Sequence, residues 1–477
     1  MKKMTTIKFL LTTTCCGLLF FGCNVLDHEY PMGYDDSKIF SDTEKTRLAA
    51  SGMYDGMQNS EFLGGRAQIY VDIRSEDTNP SSYFGQVSTF DPTSGNSIVQ
   101  NAWTAAYRTI GYINTFIDQV ANNPGVLPQA EEAQYIAEAK FLRAVVYFYT
   151  VNFWGDKYAA NSKGLGVPLV LKPFDAGNAF SEEAKIPRAT TTEVYAQIIK
   201  DLTEAIPSLP AKTAPSFNSL AKATKGAAYA MLSRVYLYNE DWTNTISNAN
   251  QVTGYSLDAS LRNNVFVDPP TASNEIIFFI AMSASDNPNT NNSLGQHFGR
   301  GKRADINLAN SYINIFDDPD DKRLTQLIAT TGTSPNFTYW TEKYIANSNA
   351  DWAPVVRYAE VLLNKAEALA KSASGIDATA LGIINDIRTR SGAAPKVASD
   401  FANKTDFVEY ILAERRRELA FEGHGSFDLF RNKKGIAAGR GGASVAAIPY
   451  PNDKFVFPIP EADVKKAEGI LIQNSSY

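Results

Sequence analysis

The sequence predicts a mostly α-helical protein in which paired helices pack against an irregular, loop-rich half with little β-structure. Apolar residues recur at steps of three and four over residues 101–154 and again over 358–421, which is the spacing of a buried helix face. Residues 59–100 and 254–350 are instead rich in loop-forming polar residues and glycine, and sustain no period. With 477 residues and 44% hydrophobic content, the chain can bury a large core.

The first half of the chain carries most of the predicted helices. Residues 41–44, Ser-Asp-Thr-Glu, offer N-cap side chains for a helix that ends near Gln58. The helix predicted over 129–154 is apolar around most of its circumference, which is typical of a helix buried on several sides. Further helices are predicted from residue 101, over 187–206, over 221–238 and over 241–252.

The second half repeats this plan after a long interruption. Helices are predicted from residue 358, over 378–390 and over 406–421, and residues 275–280 form a β-like run. Alanines at the helix contacts, with aromatic residues beside them, are typical of tetratricopeptide-like hairpins, although no fixed period of about 34 residues recurs. The helix pairs are therefore predicted to stack as a solenoid.

The N-terminus is predicted to be a targeting segment. Three lysines within residues 1–8 precede an apolar run over 9–21, which is shorter than the about 20 residues needed to span a bilayer. Residues 1–22 are interpreted as a signal peptide, Cys23 as the lipidated first residue of the mature chain, and 23–41 as a polar tether. The alternative is a secreted protein in which Cys23 is not modified.

Composition argues against several classes of function. A net charge of −6 and a pI of about 5.4 argue against nucleic-acid binding. The three histidines lie far apart in the sequence and no cysteine follows Cys23, so we expect neither a metal site nor a thiol nucleophile. Since no carboxylate pair or serine motif stands out either, we predict no catalytic residue, no metal and no cofactor.

Two charged runs are interpreted as structural. Glu414 and Glu418 lie four residues apart on one helix face and bracket three arginines, which favours ion pairs over an anion-binding site. Residues 317–321, Asp-Asp-Pro-Asp-Asp, lack the spacing and central glycine of a calcium-binding loop, which favours a solvated turn.

Several short motifs occur in a characteristic order. They lie in Trp103 to Asn114, Ala137 to Phe148, Gly155-Asp156, Arg357 to Ala368, Glu414 to Gly423, Asp428 to Arg431, Pro458 to Asp463 and Gln473 to Tyr477. Together with the lipoprotein-like start, their order and spacing resemble those of the SusD/RagB family of Bacteroidetes outer-membrane lipoproteins. The chain departs from the family only around the closing turn, at residues 467–469 and Ser476.

The resemblance implies a SusD-like α-solenoid scaffold of four tetratricopeptide-like helix pairs. It implies a non-catalytic protein, lipid-anchored and surface-exposed on the outer membrane, that holds oligosaccharides or, less often, peptides above a SusC-type TonB-dependent transporter. The SusD-like domain is expected over 42–477, with an N-terminal part over about 42–253 and a C-terminal SusD/RagB part over about 254–477.

A sugar-binding surface needs aromatic rings outside the helical stripes, because pyranose rings stack on them while hydroxyls pair with polar side chains. Two regions meet this requirement, around Tyr83 and around Trp340, and the resemblance implies a ligand surface in the loops of these regions. The predicted ligand-binding residues are Asp72, Arg74, Asp77, Tyr83, Phe84, Phe298, Arg300, Tyr339 and Trp340.

The sequence therefore predicts a surface glycan-binding lipoprotein that delivers oligosaccharides to a transporter partner. A peptide-binding lipoprotein of the same architecture is the main alternative, and it would use backbone pairing and pockets rather than an aromatic platform. A lipid-anchored hydrolase and a purely structural helical adaptor are the further alternatives.

Overall fold

The structure is a computed structural model that describes residues 36–173, 185–439 and 446–477. The predicted signal peptide, Cys23 and most of the predicted tether lie outside the described residues. Within these ranges, the mostly α-helical fold class predicted from the sequence is confirmed.

Long helices form the scaffold. They are α1 (Thr43–Met57), α2 (Ser97–Asn122), α3 (Gln129–Trp154), α4 (Thr191–Ala205), α5 (Lys225–Tyr238), α6 (Trp242–Asn250), α7 (Tyr358–Ser372), α8 (Ala378–Arg390) and α9 (Lys404–Leu419). Helices α3 and α8 have the bounds predicted from the sequence. The others differ from the predicted bounds by a few residues, as expected where helix ends depend on capping.

Capping side chains explain where several helices begin. Asp42 accepts a hydrogen bond from the backbone N–H of Lys45 at 2.9 Å, so α1 begins at Thr43. Asn96 caps α2 and moves its start ahead of the predicted residue 101. Thr190 forms a capping box that starts α4 after the predicted residue 187. Each cap satisfies N–H groups that the first helical turn leaves without a partner.

Consecutive helices pack against one another along the chain. Helix α1 contacts α2, α2 contacts α3, and the series continues in order through α7, which then contacts both α8 and α9. Contacts between consecutive helices are the arrangement of a helical solenoid, in agreement with the predicted helix pairs.

Helix α3 lies at the centre of this stack. Every residue from Phe141 to Trp154 is buried, as the apolar circumference of the helix predicts. Arg143 is buried among them and makes two hydrogen bonds of 2.8 Å to the carboxylate of Asp201 in α4. This pairing compensates the desolvation of both charges.

Shorter helical segments connect these elements. They are Asp36–Ile39, Arg66–Asp72, Ser82–Phe84, Gly85–Ser88, Phe217–Ala221, Leu261–Val265, Asn289–Asn292, Leu294–Phe298, Asn310–Ile313, Lys322–Thr325, Ala398–Asp400, Gly425–Arg431, Asp453–Phe455 and Glu461–Lys466. None of the helices in the described ranges is both long and apolar enough to cross a membrane.

The strands are short and pair in antiparallel fashion. They are β1 (Thr78–Pro80), β2 (Leu165–Pro168), β3 (Arg188–Thr190), β4 (Ile276–Ile280), β5 (Ile306–Leu308), β6 (Ile328–Thr333), β7 (Asn336–Thr341) and β8 (Ala353–Arg357). Strands β2 and β3 form one pair and β4 and β8 another, while a four-stranded sheet has the order β1-β5-β7-β6. The prediction that Tyr339 and Trp340 lie in a loop is wrong, because both belong to strand β7.

One hydrophobic core joins the two halves of the chain. Phe141 of α3 packs edge-on against Phe278 of β4, with ring centroids 5.1 Å apart. Phe153, also on α3, stacks in parallel with Phe457 near the C-terminus, again at 5.1 Å. The helical scaffold and the C-terminal segments therefore share their apolar side chains.

Candidate ligand-binding surface

Pairing of β1 with β5 brings together two regions that are far apart in the sequence. Asn79 lies opposite Asn307 in this pair, and the chain after β1 places Tyr83 and Phe84 beside His297. The ring centroids of Tyr83 and Phe84 lie 5.4 and 5.1 Å from that of His297. The strand pairing thus joins the predicted cluster around Tyr83 to residues near the second cluster.

Tyr83 reaches the surface from this aromatic group, with 39% of its area exposed. Its hydroxyl is hydrogen-bonded to Nη2 of Arg66 at 2.8 Å, and the guanidinium carbon of Arg303 lies 4.5 Å from its ring centroid. Arg66 also donates to the backbone carbonyl of Asn291 at 3.0 Å. These contacts orient the Tyr83 ring while part of it stays open to a ligand.

Polar contacts continue from Tyr83 towards the sheet. Nε of Arg303 donates to Oδ2 of Asp305 at 2.9 Å, and the hydroxyl of Ser81 donates to Oδ1 of Asp305 at 3.1 Å. Oδ2 of Asp305 also lies 2.9 Å from Nδ1 of the buried His297. Asp305 therefore neutralises Arg303 and connects the Tyr83 region to strand β5.

The four-stranded sheet has a core face and an outer face, because neighbouring residues of a strand point to opposite sides. Thr78, Leu308 and Tyr339 occupy one row across β1, β5 and β7. Thr78 and Leu308 are buried, and Tyr339 packs against the hydrophobic core. This row therefore marks the core face of the sheet.

The next row in the same register lies on the outer face and contains Asn79, Asn307 and Trp340, all half-buried. Nδ2 of Asn79 donates to Oδ1 of Asn307 at 2.9 Å. Nε1 of Trp340 donates to the hydroxyl oxygen of Thr331 in β6 at 3.1 Å. The outer row thus carries two side-chain amides, on β1 and β5, and an indole ring on the adjacent strand β7.

We refer to these residues together as the outer sheet surface; it comprises Asn79, Tyr83, Arg303, Asn307 and Trp340. Indole and phenol rings offer flat apolar faces, and side-chain amides both donate and accept hydrogen bonds. The arrangement therefore suits an uncharged ligand that carries C–H faces and hydroxyl groups.

Asp72, which the sequence predicts as a ligand contact, is only 1% exposed. Its carboxylate accepts hydrogen bonds from the backbone N–H groups of Gly423, at 2.9 Å, and Gly425, at 3.3 Å. Only glycine fits at the second position, because a Cβ there would lie 2.5 Å from Cβ of Ser75. Contrary to the prediction, Asp72 holds the turn after α9 and is not part of an exposed surface.

Arg74 and Asp77 are also buried, contrary to the prediction of a ligand surface. The guanidinium carbon of Arg74 lies 4.5 and 4.6 Å from the ring centroids of Phe90 and Phe457. Asp77 forms an ion pair with Arg416 of α9. Because both partners of this pair lie far apart in the sequence, sequence reasoning did not detect that these charges are used inside the fold.

Two of the predicted aromatic contacts face the core as well. Phe84 and Phe298 are buried, and the ring of Phe298 lies 5.7 Å from that of Tyr344. Tyr339 belongs to the core face of the sheet, so it cannot form one platform with Trp340. Arg300 is exposed, as predicted.

The structure confirms the interpretation of one charged run and contradicts part of the interpretation of the other. The predicted ion pairing around Glu414 and Glu418 is confirmed, since Glu414 accepts from Arg417 at 2.9 Å and Glu418 from Arg357 at 2.7 Å. The interpretation of 317–321 as a solvated turn is wrong at Asp321, which is buried and lies 2.6 Å from the guanidinium of Arg323.

Comparison with known proteins assigns the family. A family model described as starch-binding, associating with the outer membrane, matches residues 36–237, and the SusD family model matches residues 322–477. The chain belongs to the SusD family. The resemblance drawn from the sequence motifs is thereby confirmed.

Individual relatives agree with this assignment. SusD-like protein P2 of Formosa agariphila is 26% identical, and the match covers 100% of this chain and 99% of the relative. A SusD superfamily protein from Bacteroides fragilis superposes with a TM-score of 0.78 at 26% identity, covering 90% of this chain and 99% of that one. A SusD-like carbohydrate-binding protein from Bacteroides vulgatus, at 18% identity, has a TM-score of 0.75 over 91% of this chain and 99% of its own, which supports the fold alone.

In this SusD family protein, sequence reasoning missed three residues of the outer sheet surface. Asn79, Arg303 and Asn307 carry no motif, and asparagines are common in the polar stretches around them. Their position depends on the register of β1 with β5, which joins residues more than 200 positions apart. Among the residues that the structure describes, no group of three or more His, Cys, Asp or Glu side chains is arranged to hold a metal ion.

Proposed function

We propose that this SusD family protein captures oligosaccharides on its outer sheet surface and delivers them to a SusC-type TonB-dependent transporter. The observation that carries the proposal is the outer row of the sheet, which holds the amides of Asn79 and Asn307 and the indole of Trp340 on three adjacent strands. A pyranose can stack its C–H face on the indole while its hydroxyls exchange hydrogen bonds with the amides.

Two further observations support an oligosaccharide ligand. Tyr83 offers a second, partly exposed ring, and its orientation is set by Arg66 and Arg303 before any ligand arrives. Preorganised side chains lose little conformational entropy on binding. The family model that matches residues 36–237 is itself described as starch-binding.

The ligand class can be tested with the mature chain, in which Cys23→Ser removes the acyl acceptor. Native affinity gels that contain starch, xylan, laminarin, mannan or galactan give a direct comparison of polysaccharides. We expect retardation by at least one of them, and calorimetry with its oligosaccharides then gives the affinity. If none of these polysaccharides retards the protein, the oligosaccharide proposal fails.

The proposed anchor is Cys23, followed by placement on the cell surface. Cys23→Ser should abolish partitioning into detergent and labelling by a radioactive fatty acid, and should leave the protein off the surface. A matched control is Cys16→Ser, which lies inside the proposed signal peptide and should alter none of these three readouts. Unchanged surface display of the Cys23→Ser variant would contradict the anchor.

The proposed partner is a TonB-dependent β-barrel. Purification of the anchored protein from native outer membranes in mild detergent should co-purify a much larger membrane protein. Recovery of the SusD family protein alone, after growth on the glycan that it binds, would contradict the partnership.

We also propose that the protein does not cleave its ligand. Incubation with the best-binding oligosaccharide, followed by chromatography, should return the ligand intact. Release of shorter products that depends on a pair of carboxylates in this chain would instead favour the hydrolase alternative.

A peptide ligand is the second candidate, and one observation favours it. Strand β6 forms an edge of the four-stranded sheet, and an extended peptide can add a strand to such an edge through backbone hydrogen bonds. In that case binding of a peptide library should survive Trp340→Ala and be lost when a proline replaces Thr330 in β6. An oligosaccharide that stacks on the indole predicts the opposite pattern.

A further inference from the structure

A second concave site shares no residue with the outer sheet surface. It lies between the C-terminal part of α1, the short helix Phe217–Ala221 and strand β4, and it encloses about 450 Å³. The buried side chains of Met57, Phe278 and Ile280 form an apolar floor. Its volume falls in the range of small-molecule sites, about 300–1,000 Å³.

Phe217 stands at the rim of this site in a fixed orientation. Although 52% of the residue is exposed, its ring packs edge-on against Trp352, with centroids 5.7 Å apart and an interplanar angle of 86°. Trp352 is in turn held by a hydrogen bond from Nε1 to the backbone carbonyl of Met282 at 3.0 Å. The open phenyl face is therefore preorganised for contact with another flat apolar surface.

Polar side chains surround the apolar floor on the open side. Asn218, Lys222, Asp55 and Asp286 line the site, so both donors and acceptors are present. The two carboxylates outnumber the single ammonium group, which disfavours an anionic ligand such as a phosphate or a uronic acid. An uncharged ligand with hydroxyl groups and apolar C–H faces fits this combination best.

We propose that this site, the Phe217 pocket, binds one or two neutral pyranose units. The inference rests on the proposed function, since it adds a second contact for the same class of ligand. Segment 281–292 supports a link between the two sites. It contributes Ala281 and Asp286 to the pocket, and its Asn291 carbonyl accepts a hydrogen bond from Arg66, which positions Tyr83.

The test uses disaccharides, so that one ligand molecule contacts only one of the two sites. Maltose, cellobiose, laminaribiose, xylobiose and mannobiose are titrated by calorimetry and NMR onto the mature Cys23→Ser chain. Four proteins are compared: this parent and the parent carrying Phe217→Ala, Trp340→Ala or Tyr112→Ala. Tyr112 is a matched control, because it is an aromatic residue of α2 that is 51% exposed and does not line the pocket.

We expect at least one disaccharide to bind about tenfold more weakly to Phe217→Ala, and to keep its parent affinity in Trp340→Ala and Tyr112→Ala. Melting curves should show that all four proteins fold. The inference is overturned if no disaccharide distinguishes Phe217→Ala from Tyr112→Ala.

The outcomes separate the two proposals. Binding that depends on Trp340 but not on Phe217 supports the proposed function and contradicts the proposal that the Phe217 pocket binds a sugar. If every ligand, including the oligosaccharides of the polysaccharide that retards the protein on affinity gels, depends on Phe217 and none depends on Trp340, the pocket stands and the outer sheet surface is not the principal site. A chain that binds none of the five disaccharides, and none of the polysaccharides on affinity gels, contradicts both proposals.

Discussion

The helical scaffold and the outer sheet surface use polar side chains in opposite ways. Where the scaffold meets strand β8, charges are buried in pairs: Arg357 of β8 is 1% exposed and donates to Glu418 of α9 and to Glu422 at 2.7 Å each. On the outer sheet surface, the uncharged amides of Asn79 and Asn307 are half-buried and bond to each other. A buried ion pair satisfies itself within the fold, whereas a half-exposed amide keeps hydrogen-bonding capacity for a ligand.

This contrast explains why several residues predicted at the ligand site are buried. A carboxylate or guanidinium in a polar stretch of sequence was interpreted as available to ligand, yet Asp72, Arg74 and Asp77 all hold other parts of the fold. Tyr83 and Trp340 remain at the surface. In this protein, therefore, buried charges hold the fold together, whereas the outer sheet surface combines aromatic rings and side-chain amides with the exposed Arg303.

The largest expected effect is on the buried charges. Arg357→Ala leaves the carboxylates of Glu275, Glu418 and Glu422 without their shared partner, which should cost about 3–5 kcal/mol in the free energy of unfolding. Arg303→Ala, at the surface, should cost less than about 1 kcal/mol. Denaturant titration measures both. If Arg357→Ala does not fold, Arg357→Lys keeps the charge and should lower the free energy of unfolding by an intermediate amount. Equal losses of stability in the Arg357 and Arg303 variants would contradict the difference between buried and exposed charges.

The next effect depends on pH. Burial alone would raise the pKa of Glu367, but the charge and hydrogen bonds of Arg431 outweigh it and lower the pKa to about 2. The pKa of a glutamate side chain in an unfolded chain is about 4.3. The pair therefore stabilises the fold fully above about pH 4.3, and this contribution, about 3 kcal/mol, is lost as the pH falls towards about 2.

Glu367→Gln should flatten the stability profile in this acidic range, measured by denaturant unfolding in steps of pH. Glu461→Gln is the matched control, because Glu461 is half exposed and pairs with the exposed Lys465. The pairing of Glu367 with Arg431 is contradicted if both variants keep the parent slope.

A neighbouring pair of residues tests the two faces of the sheet. Trp340→Ala should weaken oligosaccharide binding roughly tenfold, since about 1.4 kcal/mol is one decade in affinity, and should change the melting temperature little. Tyr339→Ala should instead lower stability by about 2 kcal/mol and leave the affinity near its parent value. Calorimetry and melting curves on both variants decide the matter. The opposite pattern would mean that the faces of β7 are reversed.

The smallest expected effect concerns the outer amides. Asn307→Ala removes one hydrogen-bonding partner of the ligand and the contact with Asn79, which should weaken binding about fivefold, or about 1 kcal/mol. Asn336→Ala, at the exposed end of the β6–β7 hairpin, is the control and should bind as the parent does. Equal affinities of the two variants for the oligosaccharide would show that Asn307 does not contact the ligand.

Much of the scaffold could be predicted from the sequence. The apolar residues over 129–154 predicted α3 with its observed bounds, because a helix buried on several sides has apolar residues in every turn. The hairpin of β6 and β7 was not predicted. Its strands, Ile-Ala-Thr-Thr-Gly-Thr and Asn-Phe-Thr-Tyr-Trp-Thr, mix polar and apolar residues without regular alternation. The pairing of β7 with β5 also depends on residues distant in the sequence.

The sequence by itself determined the family, through the order and spacing of its motifs, and the mostly helical fold, through the local period of its apolar residues. Only the tertiary structure decided which polar groups face outwards. The side-chain direction of Trp340 is set by the register of β7, and the partner of Asp77 is an arginine on α9. Register and burial arise from packing between distant segments, because a shift of one residue in a strand reverses the face that every side chain occupies.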